Sequence, residues 1–470
     1  MKTPVTFSLM AALLVSGCSM APKYARTTTP VPPAFPTGEA YPAPAAETLP
    51  ALDRAAIFTD QRLLALMDQA LVNNRDLRVA AANILRARFQ FRAQRAAIFP
   101  QLDGGGSAQV IDNAAASTTN ASASLSVSAW ELDVFGRIQS MTDAAQERYF
   151  QTEAAARATR LALLGDIANG WLAYSADRSL LALAEATADT ARKTAGLVQA
   201  RLERGVANRA DLAQAQTILA TAESDLARQK TLVAQDVNLL TLLIGASVDP
   251  ALLPASIEEA SATITDVPTA TSSEVLLRRP DVLASEYALR AANADIGAAR
   301  AALFPKITLS GLMGLAAGSF EGLFGDAGRS VLQGGGALSY PIFRAGAGKA
   351  NLEASKASRD AALATYEKSI QTAFREVSDA LARRGTIDEQ IAADTRRTNA
   401  ANEALRLSDA RYRGGIDSFL VNLDSQRSAY TAQRTLVATR LEAARNRVTL
   451  YRTLGGDALT LSADEPAPKS

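Results

Sequence analysis

The chain has 470 residues, which is enough for two or three domains or for one large repetitive domain, and its 49 basic and 48 acidic residues leave a formal net charge of +1. This balance favours neither a nucleic-acid partner nor a strongly charged one. The absence of histidine excludes Ser-His-Asp and Cys-His catalysis, and the single cysteine, Cys18, excludes an intrachain disulfide and a thiolate metal cluster.

The N-terminus has the features of an export signal. Lys2 supplies a positive charge, and residues 5–15 form an apolar stretch that is too short to span a bilayer permanently. A Val-Ser-Gly triplet precedes Cys18 and resembles a bacterial lipobox, in which the cysteine becomes the lipidated first residue of the mature chain. We therefore predict a signal peptide over residues 1–17 and a covalent lipid on Cys18.

Residues 18–50 are predicted to be a tether. Eight prolines lie between residues 20 and 50 among small residues, a composition that favours an extended chain without a core of its own. Ser19 follows the cysteine, whereas in the bacterial sorting pattern an aspartate there would retain a lipoprotein at the inner membrane. We therefore expect the outer membrane.

The rest of the chain consists of two similar copies. Residues 95–100 read Arg-Ala-Ala-Ile-Phe-Pro and residues 300–305 read Arg-Ala-Ala-Leu-Phe-Pro, and further matches recur at an offset of about 210 residues. The predicted organisation is a first repeat over 51–245, a connector over 246–280, a second repeat over 281–456 and a C-terminal tail over 457–470.

A two-residue period follows each Phe-Pro pair. Apolar and polar residues alternate over 121–129 and over 307–313, and Gly-rich segments lie beside them. Each strand has the length of ~10 residues with which a tilted strand crosses a bilayer. We predict four strands with loops over 113–120 and 316–329, the strands lying near residues 102–112, 120–131, 305–315 and 331–343.

Four strands cannot close a membrane barrel, because the smallest single-chain barrels have about eight strands and open edges are not tolerated in lipid. Two alternatives follow from the pattern. Either the strands belong to a soluble core, which their many Gly and Ser residues favour, or several chains share one barrel. The export signal and the lipobox favour the shared barrel.

Long helices are predicted after each pair of strands. Residues 138–200 are free of proline and rich in Ala, Leu, Arg and Glu, and at ~1.5 Å per residue they would reach roughly 95 Å as one helix or as two stacked helices. From Leu212 onwards, apolar residues recur every seven positions, which predicts coiled-coil packing. An ordinary helical bundle explains that local period equally well.

Short connectors at 201–208 and 411–418 are predicted to be helix–turn–helix tips. We expect Gly205 and Gly415 to take the left-handed conformation that ends a helix. Asn208 and Ser418 are expected to cap the returning helices with their side chains.

Four groups of residues are distinctive together. They are Leu-Arg-Arg-Pro-Asp at 277–281, the two Phe-Pro helix ends, Trp-Glu-Leu-Asp-Val-Phe-Gly-Arg at 130–137, and the second tip followed by Leu420 and Asp424. In these segments the chain resembles the TolC-like outer-membrane factors, most closely the OprM/NodT-type efflux lipoproteins, from about residue 18 to residue 456. It departs from them at Arg344, where relatives usually carry Asp or Asn.

The resemblance implies a mainly α-helical homotrimer with a membrane β-barrel. Three copies with four strands each would form a 12-stranded barrel, continued by a periplasmic α-helical barrel. The trimer would be the outer-membrane exit duct of a Gram-negative bacterium. It would passively conduct drugs or other small molecules from an inner-membrane pump of the proton-driven RND type through a periplasmic membrane-fusion adaptor. Beyond outer-membrane lipid and the lipid on Cys18, no metal, cofactor, nucleic acid or enzymatic activity is expected.

The resemblance also assigns two functional regions. A periplasmic gate would comprise Tyr412, Leu420, Asp424, Asp211 and the neighbouring Arg413, although outside the motif Leu420 is typical of seam packing and Asp424 of a solvated face. The adaptor would contact the two tips at Gly205, Val206, Asn208, Gly415, Ile416 and Ser418.

Two other functions remain open on the sequence. One is a duct of the same family that serves protein secretion. The other is a periplasmic coiled-coil lipoprotein scaffold without a pore. An enzyme is disfavoured because histidine is absent and no catalytic cluster is present in the sequence pattern.

Overall fold

The computed structural model of the chain describes residues 20–42, 52–113, 116–268, 272–326 and 328–456. The predicted signal peptide, Cys18 with its lipid, and the predicted C-terminal tail lie outside these residues. Within the described ranges, no helix combines the length and the apolar character that crossing a membrane requires.

The described chain is mostly helical and contains one small sheet. In chain order the elements are α1 (Arg54–Ile57), α2 (Gln61–Asn73), α3 (Arg75–Ala96), β1 (Asp103–Asn113), β2 (Ala116–Leu132), α4 (Arg137–Glu203), α5 (Arg209–Ile244), α6 (Ile257–Ala262), α7 (Pro280–Ala301), β3 (Lys306–Ala317), β4 (Arg329–Ser339), α8 (Ala347–Arg413) and α9 (Phe419–Thr453). The stretch predicted as one or two helices from residue 138 is a single helix, because it lacks proline and any glycine in a left-handed conformation.

The four strands form one antiparallel sheet in the order β1-β2-β3-β4. The hairpins β1–β2 and β3–β4 come from the first and the second copy, and the pairing of β2 with β3 joins the copies. The β2–β3 ladder shifts register between Val127 and Trp130, where Ala129 has a φ of 54°. Within β2 the apolar positions change from odd to even numbers here, and the bulge keeps them opposite the apolar positions of β3: Leu125 lies opposite Met313 before it, and Trp130 lies opposite Leu309 after it.

Two strand boundaries differ from the prediction. The first loop, predicted over 113–120, is shorter, because the ladder between β1 and β2 continues to the pair of Asn113 with Ala116. Residues 116–120, at the start of β2, were predicted to be part of the loop, yet their backbone pairs with β1. Strand β4 ends at Ser339 rather than near 343, since Pro341 has no N–H to donate to the ladder.

The two faces of the sheet differ in polarity. On one face, Ser122 and Ser126 of β2 lie opposite Ser107 and Asp103 of β1. On the other face, Leu125, Met313 and Leu332 form a row across β2, β3 and β4, and their side chains are exposed. One face of the sheet is therefore suited to water and the other to an apolar surrounding.

The described chain divides into two compact units, and each copy contributes to both. The first unit contains the sheet and consists of residues 20–28, Ala82–Ala154 and Leu283–Lys368. The second unit consists of the described parts of Thr29–Ala81, Ala155–Val282 and Ser369–Ser470. The division follows packing contacts, which is why it does not coincide with the two sequence repeats.

The second unit has a helical core with large apolar side chains. The Phe58 and Tyr451 rings meet edge to face at 5.1 Å, and the indole of the fully buried Trp171 donates a hydrogen bond to the Leu252 carbonyl at 3.1 Å. Part of the predicted tether also packs here, because the Phe35 ring is buried and stacks on Phe374 at 5.3 Å.

Arg279, from the Leu-Arg-Arg-Pro-Asp motif, joins three segments of this unit. Its buried guanidinium donates to the carboxylates of Asp281 at 2.8 Å and Glu376 at 2.8 Å, and to the Thr453 carbonyl at 2.8 Å. Burial alone would raise the pKa of Asp281, but the hydrogen bonds and the charge of Arg279 outweigh it and hold that pKa below its usual range. The Arg279 guanidinium therefore connects the start of α7 with the middle of α8 and the end of α9.

Replacing this cation is expected to destabilise the protein. Arg279→Met should lower the free energy of unfolding by about 2–4 kcal/mol, because two carboxylates and a carbonyl lose their common donor while part of the site remains accessible to water. The test is the thermal unfolding midpoint of the detergent-solubilised protein. Arg375→Met, which removes an arginine from an exposed ion pair with Asp379, is the matched control and should change the midpoint little. Equal shifts in both variants would contradict this role for Arg279.

Candidate functional site

Two helix–turn–helix tips connect the long helices of the second unit, one between α4 and α5 and one between α8 and α9. Gly205 and Gly415 have φ values of 72° and 73°, the left-handed conformation that was predicted for both. In the first tip the N–H of Val206 donates to the Arg201 carbonyl at 2.9 Å, and in the second the N–H of Ile416 donates to the equivalent carbonyl at 2.9 Å. The two tips therefore have the same backbone design.

Their side-chain contacts differ. Asn208 caps α5 as predicted, because its Oδ1 accepts a hydrogen bond from the N–H of Asp211 at 2.8 Å. The predicted cap by Ser418 is wrong: this residue stands at the start of α9, but its side chain makes no capping hydrogen bond.

The second tip is held by an ion pair instead of a side-chain cap. The Arg411 guanidinium donates to both carboxylate oxygens of Asp417, at 2.7 and 2.8 Å. These hydrogen bonds hold the pKa of the Asp417 carboxyl below its usual range. Both partners lie at the surface, so this contact contributes to the shape of the turn more than to stability.

Each tip presents one apolar side chain to solvent. Val206 is 72% exposed and Ile416 is 67% exposed, and the two occupy equivalent positions in the two copies. Exposed apolar residues at the end of a helical hairpin are suited to contact with another protein.

Tyr412 lies inside a small core between the two hairpins. Its side chain is buried, its ring lies 5.3 Å from that of Phe419, and the Arg201 guanidinium lies 4.7 Å above the ring centroid. Val198 and Leu423 belong to the same cluster. Tyr412 thereby joins the first-copy hairpin to the second-copy hairpin.

The other predicted gate residues do not join this core. Leu420 is 69% exposed, and Asp424 pairs with Arg427 at 2.6 Å. Arg413 pairs with Asp409 at 2.9 Å. Residues three or four positions apart on one helix are neighbours, which explains why both ion pairs form locally.

Asp211, the first-copy member of the predicted gate, is half-buried in the first turn of α5. Its backbone N–H donates the hydrogen bond to Asn208 Oδ1. Its carboxylate lies in the first helical turn, where the helix dipole favours negative charge. The structure therefore places Asp211 at a helix start beside the first tip.

A groove of about 520 Å³ lies between the helices that lead to the tips. It is lined from α4, α5, α8 and α9, among others by Leu183, Ile218, Leu405, Leu420, Asp424 and Tyr430. Asp225 in this groove accepts a hydrogen bond from the Tyr430 hydroxyl at 3.2 Å, and burial together with this carboxylate raises the pKa of Tyr430.

Two contacts at this site were not predicted from the sequence. Arg201 is the first residue of a predicted tip, but its place above the Tyr412 ring depends on packing between the two copies. Phe419 follows a predicted cap residue and carried no signal of its own. Among the described residues, no three His, Cys, Asp or Glu side chains are grouped in a way that could hold a metal ion.

Comparison with known proteins places the chain in a family. The model of the family described as outer membrane efflux protein matches residues 66–246 and 271–456, so its second segment begins inside the predicted connector. Two Pseudomonas putida proteins, the antibiotic efflux pump outer membrane protein ArpC and the toluene efflux pump outer membrane protein TtgC, are each 41% identical over 458 residues. The match covers 95% of this chain and 94% of each relative.

A solved structure has the same fold. The open state of the Neisseria gonorrhoeae MtrE outer membrane channel superposes with a TM-score of 0.84 at 32% identity, covering 94% of this chain and 99% of the channel. The chain has the fold of the TolC-like outer membrane channels and belongs to the outer membrane efflux protein family.

Proposed function

We propose that three copies of this chain form the outer-membrane exit duct of a tripartite efflux system. The observation that carries the proposal is a four-stranded sheet whose edges, β1 and β4, have no partner strand within the described chain. Because open edges are not tolerated in lipid, β4 of one copy would pair with β1 of the next, and three copies would close a 12-stranded barrel. The polar face of the sheet would line the duct, and the apolar row at Leu125 would face lipid.

The helices of the three copies would continue the duct into the periplasm as a hollow α-helical barrel. The conduit would be passive, and the energy for transport would come from an inner-membrane pump. The names of the two P. putida relatives point to antibiotics and toluene as cargo, and at 41% identity they support a small-molecule cargo here over a secreted protein. In this proposal the pump is of the proton-driven RND type, and Cys18 carries a covalent lipid.

The tips would carry the contact with the adaptor and the gate. Val206 and Ile416 are exposed in equivalent positions, as a repeated docking contact requires. Threefold symmetry would bring three copies of Leu420 and Asp424 towards one axis, where an apolar constriction and a ring of charge select what passes. Tyr412 would hold the second hairpin against the first in the closed state.

The capture of a periplasmic partner tests this function directly. Once Cys18 is lipidated, the mature chain has no other thiol, so Ser418→Cys creates a unique attachment point for a crosslinker at the second tip. Crosslinking in living cells, followed by mass spectrometry, should identify an adaptor that is encoded beside a proton-driven pump.

A cysteine away from the tip is the control. Ser358→Cys, on the exposed surface of α8, should not capture the same protein. Capture of an adaptor that serves a secretion ATPase would move the cargo to proteins. If a correctly located chain captures no periplasmic protein and conducts no ions in planar bilayers, the coiled-coil scaffold replaces the duct.

A further inference from the structure

One face of α7 carries a regular row of residues that contact the N-terminal segment of the chain. Glu286, Arg290, Asn293, Gly297 and Arg300 follow one another in steps of four and three residues, which places them on the same side of the helix. All five lie in the first unit, as do residues 20–26, which they contact. These five residues are called the α7 docking face below.

The centre of the contact is a buried carboxylate. The side chain of Glu286 is 2% exposed, and its oxygens accept hydrogen bonds from the Arg26 guanidinium at 2.6 and 3.1 Å and from the Tyr24 hydroxyl at 3.1 Å. Arg290 donates to the same carboxylate at 2.7 Å, and its guanidinium lies 5.0 Å from the Tyr24 ring centroid. A buried carboxylate needs such compensation, and three of these four hydrogen bonds come from the N-terminal segment.

Burial and the neighbouring charges also shift the pKa values of Glu286 and Tyr24. Burial alone would raise the pKa of Glu286, but hydrogen bonds from Arg26 and Arg290 outweigh it and hold that pKa below its usual range. Burial, followed by the charge of Glu286, raises the pKa of Tyr24 to about 12, so this side chain stays a hydrogen-bond donor at every physiological pH.

The rest of the docking face binds the backbone of the segment. The Asn293 amide donates to the Pro22 carbonyl at 2.7 Å, and the Arg300 guanidinium donates to the Met20 carbonyl at 3.1 Å. Between them, a Cβ on Gly297 would lie 2.7 Å from the backbone nitrogen of Ala21, so only glycine allows this close approach.

The spacing of the contacts defines a register. Met20 meets Arg300 and Arg26 meets Glu286, so the segment runs antiparallel to α7. Six residues of extended chain span ~20 Å, and fourteen residues of helix span ~21 Å, so an extended segment matches the row of side chains without slack. Side-chain charge, backbone hydrogen bonds and the single glycine all select the same alignment.

We propose that the α7 docking face is a binding site for the chain's own N-terminal segment, an extended peptide recognised through Tyr24, Arg26 and two backbone carbonyls. The site holds Met20 beside Arg300, one residue before the end of α7, and strand β3 begins five residues after that end. Cys18 is two residues from Met20 in the sequence. The docked segment therefore sets the position from which the lipid, proposed above for Cys18, reaches the membrane beside the sheet.

Limited proteolysis of the intact trimer tests the docking. Lys23 is exposed within the segment and is a trypsin site, but a protease needs several residues of undocked chain, so cleavage reports the population of released segment. Glu286→Gln keeps the size of the side chain and removes its charge. We expect this substitution to raise the rate of cleavage after Lys23 by about tenfold or more. Each rate is first divided by the rate at which the same bond is cleaved in the denatured chain.

Two further variants separate docking from general unfolding. Arg26→Gln alters only the segment and leaves the Glu286–Arg290 pair in place, and it should accelerate the same cleavage. Glu353→Gln, which disrupts an exposed ion pair of the same unit with Lys356, is the matched control and should leave it unchanged. Equal cleavage rates in all variants would overturn the docking site, and so would acceleration by Glu286→Gln without acceleration by Arg26→Gln.

The position of the anchor rests on the proposed lipidation, which mass spectrometry of the N-terminal peptide measures separately. A lipidated peptide with an undocked segment leaves the duct proposal intact and refutes the docking site. A docked segment without lipid preserves the binding site and removes its proposed role in anchoring.

Discussion

Cells that carry Val206→Asp together with Ile416→Asp are expected to lose efflux-dependent resistance to small apolar drugs. The affinity for the periplasmic adaptor should fall by roughly thirtyfold or more, because both tips would present a charge where the contact needs an apolar side chain. The turns themselves should remain, since their left-handed glycines and backbone hydrogen bonds are unchanged. The measurements are drug susceptibility and the dissociation constant of the purified adaptor.

Val72→Asp provides a control with the same chemistry. Val72 is 76% exposed in α2, near Asn74, whose amide binds the Leu243 carbonyl at the C-terminal end of α5. The tip lies at the other end of α5, so this substitution should leave adaptor binding unaffected. Full resistance in the tip variant, or equal loss in both, would refute docking through the tips.

Tyr412→Ala is expected to open the proposed gate. Truncation removes a buried ring that contacts Phe419 and receives the Arg201 guanidinium, and it should destabilise the contact between the hairpins by about 3–5 kcal/mol. The outer membrane should then leak molecules of the size of vancomycin, and the single-channel conductance in planar bilayers should rise. Tyr412→Phe keeps the ring and its contact with Arg201, so it should remain closed.

Asp424→Ala separates the charge ring from the packing of Tyr412. Asp424 is exposed and pairs with Arg427 on the same helix, so its removal should change ion selectivity and permit a smaller leak without loosening the hairpins. If Tyr412→Ala and Asp424→Ala both leave vancomycin susceptibility and conductance unchanged, the gate does not lie at these residues. A leak in Tyr412→Phe would instead assign the effect to its hydroxyl.

Local features of the chain were predictable because they depend on the residues of a single segment. Proline has no N–H to donate, so the proline at residue 100 and its counterpart at residue 305 mark where helices end and strands begin. Gly205 and Gly415 take the left-handed turn because other residues are strained there. The prediction for Ser418 was wrong, because its position in the sequence does not fix the direction of its hydroxyl; an ion pair between Arg411 and Asp417 spans that turn.

The boundaries of the strands were less accessible to sequence reasoning. The start of β2, residues 116–120, was predicted to be part of a loop, yet it continues the ladder with β1, because the backbone N–H and C=O groups that form the ladder are present whatever the side chains are. The bulge at Ala129 was not predicted, because it follows from the pairing of β2 with a strand from the other copy.

The sequence alone determined the duplication, the helix-strand-helix order of each copy, the tips and the family to which the chain belongs. Only the tertiary structure decided which side chains meet across long separations in the chain. Arg201 lies over Tyr412, and Arg26 reaches Glu286, because packing brings together helix faces and segments whose partners no periodicity specifies. Periodicity states which face of a helix is buried, whereas the partner of that face depends on the rest of the folded chain.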